Sequence, residues 1–197
     1  MNIFNLSYLK GFFKRNKKFL LIPLVIFVVG FIVGSLLGFI VSGGEEVLYN
    51  SISGVTNPAY LSPLSLFIHN FLTDMLILVS GLLFSVLSVI IVLLNGWNAG
   101  LVFGFDVKMF VFGVLPHAIT EYIAVILCLT GAFILTKLEL DIIRALIKKE
   151  KTVKTVLKEN KIVFNDLLLI LVTVFVLVVI SALIEGWLTP ILIVAGV

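Results

Sequence analysis

Charge is sparse in this chain. Its 197 residues include 14 Lys and Arg and 11 Asp and Glu, 13% charged in all, where a soluble domain carries roughly a quarter. With 61% hydrophobic residues, that shortfall excludes a soluble globular protein and implies an all-α integral membrane one. Cysteine occurs once, at Cys128 inside an apolar run. No intrachain disulfide can form, and the residue reads as a small buried hydrophobe. There is no His-Glu-x-x-His, Gly-x-Ser-x-Gly or Walker loop, so the common signatures of zinc-protease, serine-hydrolase and nucleotide chemistry are missing. Ser80, Ser85 and Ser88 share one apolar stretch, but helix-borne serines usually bond back to their own backbone or pack between helices. The chain leans away from an enzyme.

Basic residues are absent from most of the length. Five lie in Lys10–Lys18, eight in Lys137–Lys161, and only Lys108 lies elsewhere. Blocks of this kind beside apolar runs mark cytoplasmic, positive-inside flanks and argue against nucleic-acid binding. The whole of residues 1–197 therefore reads as one membrane domain, starting with a basic cytoplasmic N-terminus over 1–18.

What is present is a series of apolar runs long enough to cross a bilayer. Phe19–Val41 is the first, and Gly30, Gly34 and Gly38 repeat on one face of it. Such a stripe suggests close helix packing, within the chain or between copies in a homo-oligomer. Ser42–Pro63 is polar, contains no Lys or Arg, and reads as an extracytoplasmic loop. Leu64–Leu94 is a second span, which the Asn95-Gly96 pair is expected to end with a turn. Trp97–Leu115 is apolar but interrupted by Gly100, Gly104, Asp106 and Lys108. It reads as a third span or a broken, re-entrant pair of half-helices over Asn95–Pro116. Pro116 suits the first turn of a helix and opens the span His117–Thr136. Lys137–Lys161 has the spacing of an amphipathic cytoplasmic helix lying on the membrane, and Ile162–Ile184 is the last span.

Topology follows from charge. If Trp97–Leu115 crosses, there are about five spans in the cell membrane, with the N-terminus cytoplasmic and the C-terminus extracytoplasmic. Both basic blocks then face the cytoplasm. Without that crossing, eight positive charges would lie outside.

This topology brings His69, Asp74, His117, Glu121 and Glu185 to a common depth in the outer leaflet, with Asn70 and Asn95 completing a polar intramembrane set. His117 and Glu121 share a helix face at i, i+4. Polar groups at membrane depth are costly and mark a functional site by default. Three readings stand open. The set holds helices together by hydrogen bonds; or His69, His117, Glu121 and Glu185 ligate a metal such as Zn²⁺ or Fe²⁺; or the carboxylates line a proton or ion path.

Asn70, Gly81, Asn95-Gly96 with Gly100, Pro116-His117 with Glu121, and Ile184-Glu185 followed by Pro190 together resemble the stage II sporulation protein M family, over roughly Phe67–Pro190. Ala118 stands where the family usually has Gly after the Pro-His pair. The resemblance implies a polytopic protein of about five spans. It also implies a membrane scaffold, since the namesake assembles with and anchors secreted peptidoglycan-degrading enzymes during membrane migration. The function it suggests is recruitment of extracytoplasmic envelope partners in membrane remodelling. An ion or small-solute transporter, or a metal-dependent intramembrane enzyme, are the alternatives.

Overall fold

The computed structural model describes residues 3–41, 62–149 and 151–196, and every regular element among them is helical. Five helices are long and apolar enough to cross a membrane: α1 (Leu6–Val41), α2 (Pro63–Leu83), α3 (Val86–Phe105), α4 (Val107–Lys148) and α6 (Lys161–Ala195). A short α5 (Val153–Glu159) precedes α6. The protein is a multi-pass membrane protein. Leu21, Ile32, Phe39, Leu72, Phe164 and Val176, among many others, are exposed on the outside of the bundle, as surfaces facing acyl chains require. Inside, Ile77, Val92, Leu129, Ile170 and Val174 are fully buried, and Cys128 is packed among them as a small hydrophobe. Of the expected Ser42–Pro63 loop, residues 42–61 lie outside the described residues.

The number of spans is as expected, but their boundaries are not. Asn95-Gly96 forms no turn; it lies in the middle of α3. The chain instead reverses earlier, where the last turn of α2 tightens to a 3₁₀ helix over Ser80–Leu83 and Phe84 and Ser85 both adopt left-handed backbone at φ 57°. No glycine sits at either left-handed position. Polar side chains hold this turn. Ser88 donates to the Ile77 carbonyl (2.7 Å), Thr136 of α4 donates to the Gly81 carbonyl (2.7 Å), and the Ser85 and Thr136 hydroxyls meet at 2.6 Å. Carbonyls that the ending helix leaves without partners are thus satisfied by side chains. Thr136→Val keeps the shape but removes both contacts, and should lower stability by about 1–3 kcal/mol, read as a lower Tm of the purified protein in detergent.

Between α3 and α4 the reversal takes one residue. Asp106 leaves the helix at φ −146°, ψ 101°, and its Oδ1 accepts from the Met109 amide (3.0 Å), capping α4. The break expected within Asn95–Pro116 therefore falls at Asp106, where it joins the end of one spanning helix to the start of the next.

The glycine stripe of α1 is answered within the chain. Added Cβ atoms at Gly30, Gly34 and Gly38 would strike the carbonyl oxygens of Leu93, Trp97 and Leu101, and at Gly96, Gly100 and Gly104 those of Phe27, Phe31 and Ser35. The order of these pairs makes α1 and α3 parallel, in backbone contact over several turns. Such approach allows dense dispersion contact and is open only to small residues. The stripe is covered by α3, which is the within-chain packing of the two alternatives read from it.

Thr130 of α4 donates to the Phe19 carbonyl (2.9 Å), and Phe27 packs on Tyr122 at 4.6 Å between ring centroids, so α4 runs antiparallel to α1. The first turns of α1, the last of α4 and the first of α6 share one end of the bundle, which gathers both basic blocks. The expected surface helix over Lys137–Lys161 is not formed. Its first part continues α4 to Lys148, Lys149 turns left-handed at φ 53°, and Thr152 caps α5 by accepting from the Thr155 amide. Leu138 and Val156 are buried against the protein, whereas Leu146, Ile147 and Val153 are exposed, so only part of the apolar set serves the bundle.

Candidate functional site

Two helices are widened at corresponding places. α4 has a π-helical turn over Phe110–Val114 and α6 one over Ile184–Leu188. In each, a proline follows two residues later, Pro116 and Pro190. A proline inside a helix has no N–H for the carbonyl four residues back and presses on it. A π turn takes up that misfit and re-aims the side chains around it. Pro116 thus lies inside α4 and does not open it.

The widened turns carry the site. His117 follows Pro116 directly, and Glu185 lies in the second π turn. Thr189 Oγ1 lies 3.3 Å from His117 Nδ1, and Ser181 donates to the His117 carbonyl (3.2 Å), as does Thr120 (2.9 Å). These bonds fasten the start of the His117–Glu121 face to α6. His117, Glu121 and Glu185 each offer one ligand-type atom, and these atoms lie within 4.8 Å of one another. They line a cavity of about 240 Å³ together with Asn70, Asn95 and Asn98. Asn95 and Asn98 are the tenth and thirteenth residues of the 20-residue α3. Measured along α3, the cavity is about 15 Å from either end at 1.5 Å per residue, while Gly186, next to Glu185, packs on Pro63, the first residue of α2.

The other expected members lie apart. His69 is on the exposed face of α2 and is not in the group. Asp74 is 2% exposed, one turn along α2 from Asn70, and its Oδ2 has no hydrogen-bond partner among the described residues. Gly96 and Gly100 face α1. Asn98 was not anticipated, although helical spacing shows it: at i+3 from Asn95 it shares that residue's face, while Gly96 and Gly100 fall on another.

A second polar centre was also missed. At the basic end, Asp166 of α6 accepts from Tyr8 Oη (2.6 Å), Arg15 Nη2 (2.6 Å), Arg15 Nε (3.4 Å) and Asn16 Nδ2 (2.9 Å). The Asp166 side chain is 4% exposed and that of Arg15 33%. Arg15 also lies over the Tyr8 ring at 5.2 Å. A lone carboxylate at the fifth position of the apolar run that starts at Ile162 was the available signal.

The family model described as Stage II sporulation protein M matches residues 24–190. The chain belongs to that family. The match takes in the second half of α1, the whole of α2, α3, α4 and α5, and α6 as far as Pro190. The residues that carry the resemblance to the stage II sporulation protein M family divide into two structural groups. Gly81, Gly96 and Gly100 are places where one backbone meets another, whereas Asn70, Asn95, His117, Glu121 and Glu185 line the cavity. Ala118, where the stage II sporulation protein M family usually has Gly, is 1% exposed. No curated protein matches the chain, and no solved structure does.

Proposed function

We propose that this protein is a non-enzymatic membrane scaffold that recruits extracytoplasmic envelope partners during membrane remodelling. The basic end of the bundle faces the cytoplasm under this reading, which puts the N-terminus inside, the C-terminus outside and the α1–α2 connection on the extracytoplasmic side. The observation that carries the reading is the family match over residues 24–190. The packing supports it. Two helices in backbone contact along several turns, with α4 bolted to the α2–α3 turn and to α6, make a stiff frame suited to holding a partner in place. The Ser181 and Thr189 contacts with His117 fix α4 against α6 inside that frame.

The test is capture in native membranes by in-cell crosslinking from the full chain. Wild type should yield a stoichiometric extracytoplasmic envelope protein, and His117→Ala and Glu121→Gln should reduce the yield several-fold at equal chain abundance. One feature favours a second reading, passage of an ion: the buried Asp74 extends the line of carboxylates from Glu121 along the bundle. If no partner is captured and reconstituted vesicles show an ion flux that Glu121→Gln abolishes, the scaffold reading is wrong and this one takes its place.

A further inference from the structure

The three residues at the centre of the bundle have the composition of a ligand set, and their surroundings set them apart from a hydrogen-bonded cluster. Glu121 and Glu185 come from different helices and face one another across a cavity. Among the described residues neither carboxylate has a hydrogen-bond or ion-pair partner. Two unpaired carboxylates sharing a cavity inside a membrane-spanning bundle are among the least favourable arrangements in a bilayer. A network that merely joined helices would supply donors to both. The cavity supplies no Lys or Arg. What it supplies is a third ligand, an imidazole, and room beside it.

We propose that His117, Glu121 and Glu185 hold a divalent first-row metal ion of the Zn²⁺ type in the middle of the bundle. The spacing suits it. Ligand atoms about 2.0–2.2 Å from a central ion stand roughly 3–4 Å from each other, and here all three atoms already lie within 4.8 Å. Small rotamer adjustments close the difference. One nitrogen and two carboxylate oxygens favour a borderline ion over Mg²⁺, which prefers all-oxygen octahedral shells and retains its water. The support for the imidazole is present as well. His117 Nδ1 meets the Thr189 hydroxyl at 3.3 Å. If Nδ1 carries the proton and donates it there, Nε2 keeps its lone pair for the metal, the arrangement that fixes ligand histidines elsewhere. Thr189 lies one helical turn beyond Glu185, so the same stretch of α6 brings one ligand and orients another. Asn95 and Asn98 place carboxamides on the remaining side of the cavity, able to hold a water on an open coordination position.

The π turns acquire a reason on this basis. Each shifts the phase of its helix next to a ligand, as π turns commonly do at functional sites, and together they aim side chains of two helices at one point.

The experiment uses the full chain in detergent, stripped with a chelator and titrated with Zn²⁺ in competition with a chromogenic chelator. Wild type should bind one Zn²⁺ per chain, with excess Mg²⁺ failing to displace it, and its Tm should rise with Zn²⁺. His117→Ala and Glu185→Gln should weaken binding by about a hundredfold or more, and Thr189→Val by about tenfold. His69→Ala, altering the exposed histidine, should bind as wild type. Because Glu185→Gln preserves shape, its helicity and metal-free Tm guard against a folding artefact. Wild type that binds less than one Zn²⁺ per chain overturns the proposal. So does a well-folded Glu185→Gln variant that binds with wild-type affinity. Binding is read on the isolated chain, so its failure and the failure of partner capture are separate results.

Discussion

Asp166→Ala is expected to lower the stability of the bundle by about 3 kcal/mol, at the lower end of the range for breaking a buried ion pair. The lower end applies because Arg15, at 33% exposure, can turn its guanidinium toward water, whereas the Tyr8 hydroxyl and Asn16 carboxamide cannot. Both belong to buried residues of α1, and both lose their only hydrogen-bond acceptor among the described residues. Tyr8→Phe removes one donor and leaves the carboxylate three contacts, so it should cost about 1 kcal/mol. Asp166→Asn should fall between the two, since its amide nitrogen would face donors. The measurement is the Tm of each purified variant in one detergent. An Asp166→Ala protein that melts with wild type would mean that this cluster does not tie α1 to α6.

Gly100→Ala should be as damaging, for a steric reason. A Cβ there would overlap the carbonyl oxygen of Phe31 and come within 2.8 Å of the Ser35 amide nitrogen. Both are backbone atoms of a helix, so no flexible side chain can yield. Either α1 and α3 separate, losing contact at the neighbouring glycines too, or the strain stays in place. Overpacking costs about 1–3 kcal/mol where side chains adjust, and this site should reach or exceed the upper figure. Gly113→Ala is the control. Its Cβ would meet only side-chain atoms at ordinary contact distance, Ile193 Cδ1 at 3.4 Å, Ile193 Cγ1 at 3.5 Å and Met109 Cγ at 3.8 Å, and Ala is the better helix former by about 1 kcal/mol, so it should be neutral or stabilising. Equal losses in the two variants would show that close approach to α1 is not what makes Gly100 matter.

Much of this fold is legible in composition. Apolar runs and two basic blocks are enough for five spans, because lipid leaves the backbone few options and charge orders the ends. The boundaries are not legible, for two reasons. Asn-Gly is strong turn chemistry in water, but in α3 the glycine serves contact with α1 and the asparagine serves the cavity, so helical period overrides local preference. The true reversal at Phe84–Ser85 lacks a glycine or proline and depends on Thr136, fifty-one residues from Ser85. No local pattern announces it. The site was partly legible: His117 and Glu121 follow from one helix face, but the exclusion of His69 depends on the rotation of α2, which its own sequence does not set. Asp166 was overlooked because its partners lie some 150 positions away.

The parallel pairing of α1 with α3 also has a bearing on biosynthesis. The ribosome delivers α1 first, and its three-glycine seam has no cognate surface until residues 96–104 have emerged, after the whole of α2. In that interval the seam faces lipid or a neighbouring nascent chain, and small-residue seams of this spacing associate readily. A chain interrupted before Val86 would carry an α1 still seeking a partner, and would find it in another copy of itself. Completion of α3 is therefore the step that closes this seam within the chain.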